Sequence, residues 1–155
     1  MKRKAFIQKS LTAAGGLLIL QNSFGRAKGK IYGHNNKKYR LDTDWGKLDT
    51  QVHPVNDCHE MVQDSKGRIL LLTNETKNNV LVYSKSGRLL HYWGTAYPGA
   101  HGLTIQKNGK EDLLFITDTQ LHQVYKTTID GKQLITINAP MEAGIYKTKE
   151  AFVPT

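Results

Sequence analysis

The chain has 155 residues, with 22 Lys+Arg against 13 Asp+Glu and a formal charge of +9. That length suits one domain of ordinary size, the 39% apolar content suffices for a core, and a large multidomain enzyme is excluded. No apolar stretch reaches the roughly 18–20 residues needed to span a bilayer, so a polytopic membrane protein is excluded as well.

The positive charge is concentrated at the start. Residues 1–26 carry Lys2, Arg3, Lys4, Lys9 and Arg26 and no acidic side chain, so the rest of the chain holds 17 basic against 13 acidic residues, only +4. The segment reads as an export signal over 1–27: a basic start, an apolar run from Leu11 to Leu20, then a polar exit through Gln21-Asn22-Ser23. Arg3-Lys4-Ala5-Phe6-Ile7 resembles the twin-arginine pattern, with Lys4 where the second arginine belongs. The expectation is an exported protein, periplasmic or extracellular, with no transmembrane span in its mature form. An amphipathic N-terminal helix that stays attached is the alternative. The single cysteine, Cys58, allows no intramolecular disulfide.

Residues 28–52 read as a polar linker and partial sheet unit. From there the pattern is one of short β-type runs separated by turn signals: His59–Gln63, Ile69–Leu72, Val80–Tyr83 and Leu89–Trp93, divided by Asp64-Ser65-Lys66-Gly67, Lys77-Asn78-Asn79 and Ser84-Lys85-Ser86-Gly87. This spacing predicts a four-stranded antiparallel meander over 53–97. The text then recurs over 98–140. His101 and Leu103 follow His59 and Met61 by 42 residues. Thr117-Asp118, Val124 and Asp130-Gly131 follow Thr73-Asn74, Val80 and Ser86-Gly87 by 44, with two extra residues near Glu111-Asp112. An insertion in a turn that leaves the flanking strands aligned marks a structural repeat, and a four-stranded unit of 40–45 residues marks a β-propeller blade. Two unrelated meanders in a sandwich are the alternative. Residues 141–155 read as the lead-in to a further blade, ending Phe152-Val153-Pro154-Thr155.

Each unit resembles an NHL repeat: an innermost strand, an Asp-x-x-Gly turn, a second strand ending in Thr-Asn or Thr-Asp, a polar loop and a Val-centred third strand. His101-Gly102-Leu103-Thr104-Ile105 with Ile116-Thr117-Asp118-Thr119-Gln120-Leu121-His122-Gln123-Val124-Tyr125-Lys126 is similar to a stretch of the peptidyl-α-hydroxyglycine α-amidating lyases. The resemblance implies an all-β, NHL-type β-propeller, here an incomplete ring of four-stranded antiparallel blades. It also implies a metal-dependent lyase activity that releases glyoxylate, with a central channel holding zinc on histidines and calcium on backbone carbonyls. Carried over residue by residue, His101 matches a zinc ligand, and the carbonyls of Met61 and Leu103 match calcium ligands. Where that family has a catalytic arginine, this chain has Asn74, which supplies no fixed positive charge. No catalytic residue is assigned.

His59 and His101 begin equivalent inner strands, so both can line an axial channel and share a cation. The plainer expectation for each is a hydrogen-bonded structural histidine. Asn74 and Asp118 are candidates for the ligand channel, against a structural role in tying the following loop. His122 reads as a loop-to-strand contact. Glu60 beside His59 would act with it only through a bulge, because adjacent strand residues face opposite ways. Tyr92, Trp93, Tyr97 and Tyr125 read as packing between blades. Nucleic acid is not expected as a partner, since no Lys/Arg run interleaves with aromatics. A peptide or another protein is, and a non-enzymatic propeller binding a protein or glycan is the competing function. About three units fit after the signal, whereas closed propellers have roughly 4–8 blades. An isolated chain is therefore expected to expose a sheet edge, to self-associate and to be inactive alone.

Overall fold

The computed structural model describes residues 30–109 and 111–155. The export-signal expectation at 1–27 lies outside these residues. Among them, no helix is long and apolar enough to cross a membrane.

The chain divides into two units, one ending at Thr43 and one running from Asp44 to Thr155. In the first, strands β1 (Ile31–Tyr32) and β2 (Tyr39–Arg40) pair antiparallel. Their turn needs Gly33, whose φ is +109° and where a Cβ would fall 2.2 Å from the Lys37 carbonyl oxygen.

The second unit holds two four-stranded sheets. The strands β3 (Cys58–Gln63), β4 (Ile69–Thr73), β5 (Val80–Tyr83) and β6 (Leu89–Trp93) make one; β7 (Ala100–Asn108), β8 (Glu111–Asp118), β9 (Gln123–Thr128) and β10 (Gln133–Asn138) make the other. Both are antiparallel meanders whose spatial order follows the chain. The molecule is all-β, and its sheets are compatible with propeller blades. The sheets approach through β3 and β4 of the first and β7 of the second.

Local chemistry explains the regularity. One turn occurs three times, opened by Asp64, Ser84 and Thr128. In each, the side-chain oxygen of the first residue accepts the backbone N–H of the fifth, at 2.8, 3.1 and 3.0 Å. The fourth residue is a glycine at φ +77°, +81° and +90°, and its N–H returns to the first carbonyl. Only glycine adopts that left-handed conformation without a steric cost, so the spacing Asp/Ser/Thr-x-x-Gly specifies where a strand reverses. The two residues inserted near Glu111-Asp112 act differently: they lengthen β7 and β8, which pair out to Asn108 opposite Glu111.

The core lies between the sheets. Leu70, Leu72, Val80 and Val82 from the first meet Leu103, Leu114, Ile116 and Tyr125 from the second, with Tyr97 and Ala100 of the connection. Each such side chain contributes about 1.5–3 kcal/mol on burial. All four residues of β5 are buried, because the strand is covered on both faces. Val80 and Val82 belong to the core between the sheets, while the Trp45 ring lies 5.6 Å from Tyr83. Lys47 donates its N–H to the Gly87 carbonyl and bridges Arg88, so the stretch around Trp45 and Lys47 packs as part of this unit.

The aromatic residues divide. Tyr97 and Tyr125 are buried and pack with ring centroids 4.8 Å apart and planes tilted by 59°, and Trp93 donates its indole N–H to the Ile129 carbonyl at 2.9 Å, tying the sheets together. Tyr92 is 45% exposed and lies instead against His53 at 4.3 Å.

Candidate functional site

The inner strands β3 and β7 each carry one irregularity near their start. Cys58 pairs with Thr73 but Glu60 with Leu72, and Ala100 pairs with Asp118 but Leu103 with Ile116. One residue is therefore extra in each strand, the signature of a β-bulge, which re-aims side chains locally. His59 and His101 sit in these two bulges. Their rings meet face to face, with centroids 4.3 Å apart and planes 25° from parallel. Two histidines from different sheets thus form one paired element.

Glu60 joins them. Its carboxylate accepts the backbone N–H of Leu103 at 2.7 Å, so a side chain of the first inner strand reaches the backbone of the second. The bulge is what breaks simple alternation between His59 and Glu60 and sets both groups at the same junction.

The strand register corrects one inference from the repeat. The sequence offset matches Met61 to Leu103. In the sheets, however, Glu60 and Leu103 are the residues opposite Leu72 and Ile116, and these two are repeat counterparts. Met61 lies opposite Leu71 and corresponds in register to Thr104. The side chains behave accordingly: Met61 is 62% exposed and Leu103 is 2% exposed. The two inserted residues near Glu111-Asp112 are shared across the hairpin, and this moves the inner strand by one position relative to the aligned text.

Asn74 and Asp118, repeat counterparts in sequence, have diverged. Asp118 is fully buried, and its carboxylate accepts three backbone N–H groups: Gly99 at 3.0 Å, Gln120 at 2.9 Å and Leu121 at 2.7 Å. It organises the loop and does not line an open channel. Asn74 is half-buried; its amide accepts from Asn56 at 2.9 Å and donates to Asp57 at 3.0 Å. The loop-organising role in the first sheet falls to Asn79, whose side chain donates to the Thr73 and Tyr97 carbonyls and accepts the Tyr97 N–H.

His122 has a left-handed backbone, φ +57°, and its Nδ1 lies 2.7 Å from the Phe152 carbonyl oxygen, which holds the C-terminal segment against the β8–β9 loop. Cys58 is exposed and lies beside Asn56, with its Sγ 3.7 Å from that residue's carbonyl. Partial burial raises the Cys58 thiol above its ordinary pKa; a Thr73 hydrogen bond opposes the shift and the Asp57 charge adds to it.

A catalytic zinc takes about three protein ligands and one open position. The paired rings offer two imidazoles, and among the described residues no group of three His, Cys, Asp or Glu side chains converges to hold a metal ion. The donor set on these residues thus falls short of a three-ligand zinc centre.

At the opposite end of the inner strands lies a cleft of about 580 Å³ between the turns, lined by Asp64, Lys66, Arg68, Glu111, Asp130 and Lys132 among others. The inserted hairpin reaches across here. The Asp112 carboxylate accepts the Ser65 N–H at 2.6 Å and the Ser65 hydroxyl at 2.8 Å. These bonds, with lesser help from Lys107 and Arg68, lower the Asp112 pKa. In the sequence, Asp112 stands out only as part of the insertion. A solitary carboxylate in a lengthened hairpin carries no pattern that names its partner 47 residues away.

No family model matches the chain, and no curated protein or solved structure matches it significantly.

Proposed function

We propose that the two sheets are successive blades of an NHL-type β-propeller, and that the chain is an exported binding protein which takes a peptide at the start of its inner strands. The observation that carries this reading is the stacked pair of His59 and His101, contributed by two different sheets at two matching bulges. Stacked imidazoles combine apolar faces with ring nitrogens able to donate or accept. Around them, Glu60, Asn56, Asp57 and Asn74 add further polar groups at the same end of the first sheet. A peptide backbone, with alternating donors and acceptors, suits such a surface.

Binding is favoured over lyase chemistry by Asn74. Its amide is engaged with Asn56 and Asp57 and brings no cation. The test uses the full chain with a short peptidyl-hydroxyglycine and its peptide amide as probes. The imidazole resonances of His59 and His101 are expected to shift with both peptides, and that of His101 to lose its response in His59→Ala, with no glyoxylate released. Glyoxylate release that depends on added zinc would establish the lyase reading instead. Unshifted imidazoles with either peptide would remove the proposed site.

A further inference from the structure

The β10 strand, Gln133–Asn138, is the last of its sheet, and every one of its residues is exposed. Leu134 is 44%, Ile135 50% and Ile137 46% exposed. Strand pairing with β9 uses one side of its backbone; the N–H and C=O groups of alternate residues on the other side face outward. Natural edges are usually blunted by a charge, a proline or a covering segment. Gln-Leu-Ile-Thr-Ile-Asn has no charge, proline or glycine, and its one bulge against β9 falls between Gln133 and Ile135, leaving Ile135 to Asn138 in regular register. It is also the kind of short β-branched, uncharged segment that pairs readily with its own kind.

In the other sheet the last strand, β6, is flanked just before its start by the chain itself, where Lys47 bridges Arg88 and donates to the Gly87 carbonyl. No such bridge flanks β10 among the described residues. There, Gln133 folds back along the strand to the Thr136 hydroxyl, at 2.9 Å, a bond between exposed groups that an incoming strand can replace.

We infer that β10 is a dimerisation edge, pairing antiparallel with β10 of a second copy of this chain. A two-fold axis perpendicular to the sheet keeps residues of the same face opposite one another. A register centred on Thr136 then sets Ile135 of each copy opposite Ile137 of the other, and Thr136 opposite itself. The isoleucines meet on the face that carries Lys126 and Val124, their partners in β9. Self-pairing also avoids like-charge repulsion, because the strand is neutral although the chain as a whole is positive. The contact is the same patch on both subunits, so it closes at two copies. It makes one eight-stranded sheet bounded by the two β7 strands, which are next to β3 of their own chains.

The experiment is sedimentation of the full chain over a concentration series to about 100 µM, beside Ile135→Lys and Ile135→Val. A discrete dimer is expected for the unaltered chain and for Ile135→Val. Ile135→Lys should weaken dimerisation at least about tenfold while unfolding at an unchanged temperature, since position 135 is half exposed. In a Cys58→Ser background, Thr136→Cys should form an intermolecular disulfide under mild oxidation, and Thr104→Cys, on the inner strand, should not. A monomer throughout the series, open-ended aggregates without a dimer, or a dimer indifferent to Ile135→Lys would each overturn the inference. None of these outcomes depends on peptide binding at His59 and His101.

Discussion

Replacing Asp118 with alanine strips the acceptor from three backbone donors at once, Gly99, Gln120 and Leu121. A buried donor left without a partner costs about 1–3 kcal/mol, and bonds to an ionised acceptor lie toward the stronger end. The carboxylate itself is fully buried, but its three donors are only partly so, and water can re-solvate some of them. A loss of about 3 kcal/mol follows, a large share of the roughly 5–15 kcal/mol that holds a domain together. At about 4 °C per kcal/mol, the unfolding midpoint should fall by about 12 °C. Asp118→Asn keeps one oxygen, sufficient for Gln120 and Leu121, and turns an amide N–H toward Gly99 or makes the reverse exchange. Its expected cost is smaller, about 1–2 kcal/mol. Urea unfolding followed by tryptophan fluorescence measures both, because Trp93 bridges the two sheets. Alanine and wild type unfolding within about 0.5 kcal/mol of each other would refute the loop-organising role. A variant that kept its stability yet lost peptide binding would return Asp118 to the ligand site.

Thr127→Val should stabilise the protein by about 1 kcal/mol, because the buried Thr127 hydroxyl has no hydrogen-bond partner among the described residues; an unchanged or lower denaturation midpoint would count against it. Asp112→Asn tests the link between the turns. The Asp112 carboxyl is held below its usual pKa chiefly by the Ser65 N–H and hydroxyl. Its contribution is thus complete above the unfolded-state value and fades as pH falls through the folded one. The stability gap between wild type and Asp112→Asn should be constant above about pH 4 and shrink below it, and a gap that widened in acid would contradict the assignment. Alkylation of Cys58 should reach half its maximal rate at a pH above that of a free cysteine, about 8.5, since the thiolate is the reacting form. A midpoint below that value would reverse the stated effect of partial burial.

Much of the fold is legible because its causes are local. The Asp64, Ser84 and Thr128 turns each need only an acceptor side chain and a glycine three residues later, and the apolar runs between them have strand length. Two meanders of four strands follow from those signals alone. The apolar composition of Val80–Tyr83 likewise suits a strand covered on both sides. What covers it could not be read, since Trp45 lies 38 residues upstream in a segment that looks like linker. The candidate site was legible in part. The repeat singled out His59 and His101 and set them at the starts of inner strands, but it also paired Met61 with Leu103, which the strand register separates.

The sequence by itself thus determined the order of strands and turns in the two sheets, that the unit recurs, and which histidines stand near the starts of the inner strands. Turn chemistry and side-chain periodicity act over a few residues and need no knowledge of the rest. Only the tertiary structure decided that the two imidazoles stack, that Glu60 reaches the Leu103 backbone, that Asp112 bonds Ser65, and that Asp118 faces inward while Asn74 does not. Each of these depends on a single-residue bulge or on the separation of two sheets. A shift of one position in an inner strand turns a side chain from one face to the other, and nothing in the neighbouring residues reports it.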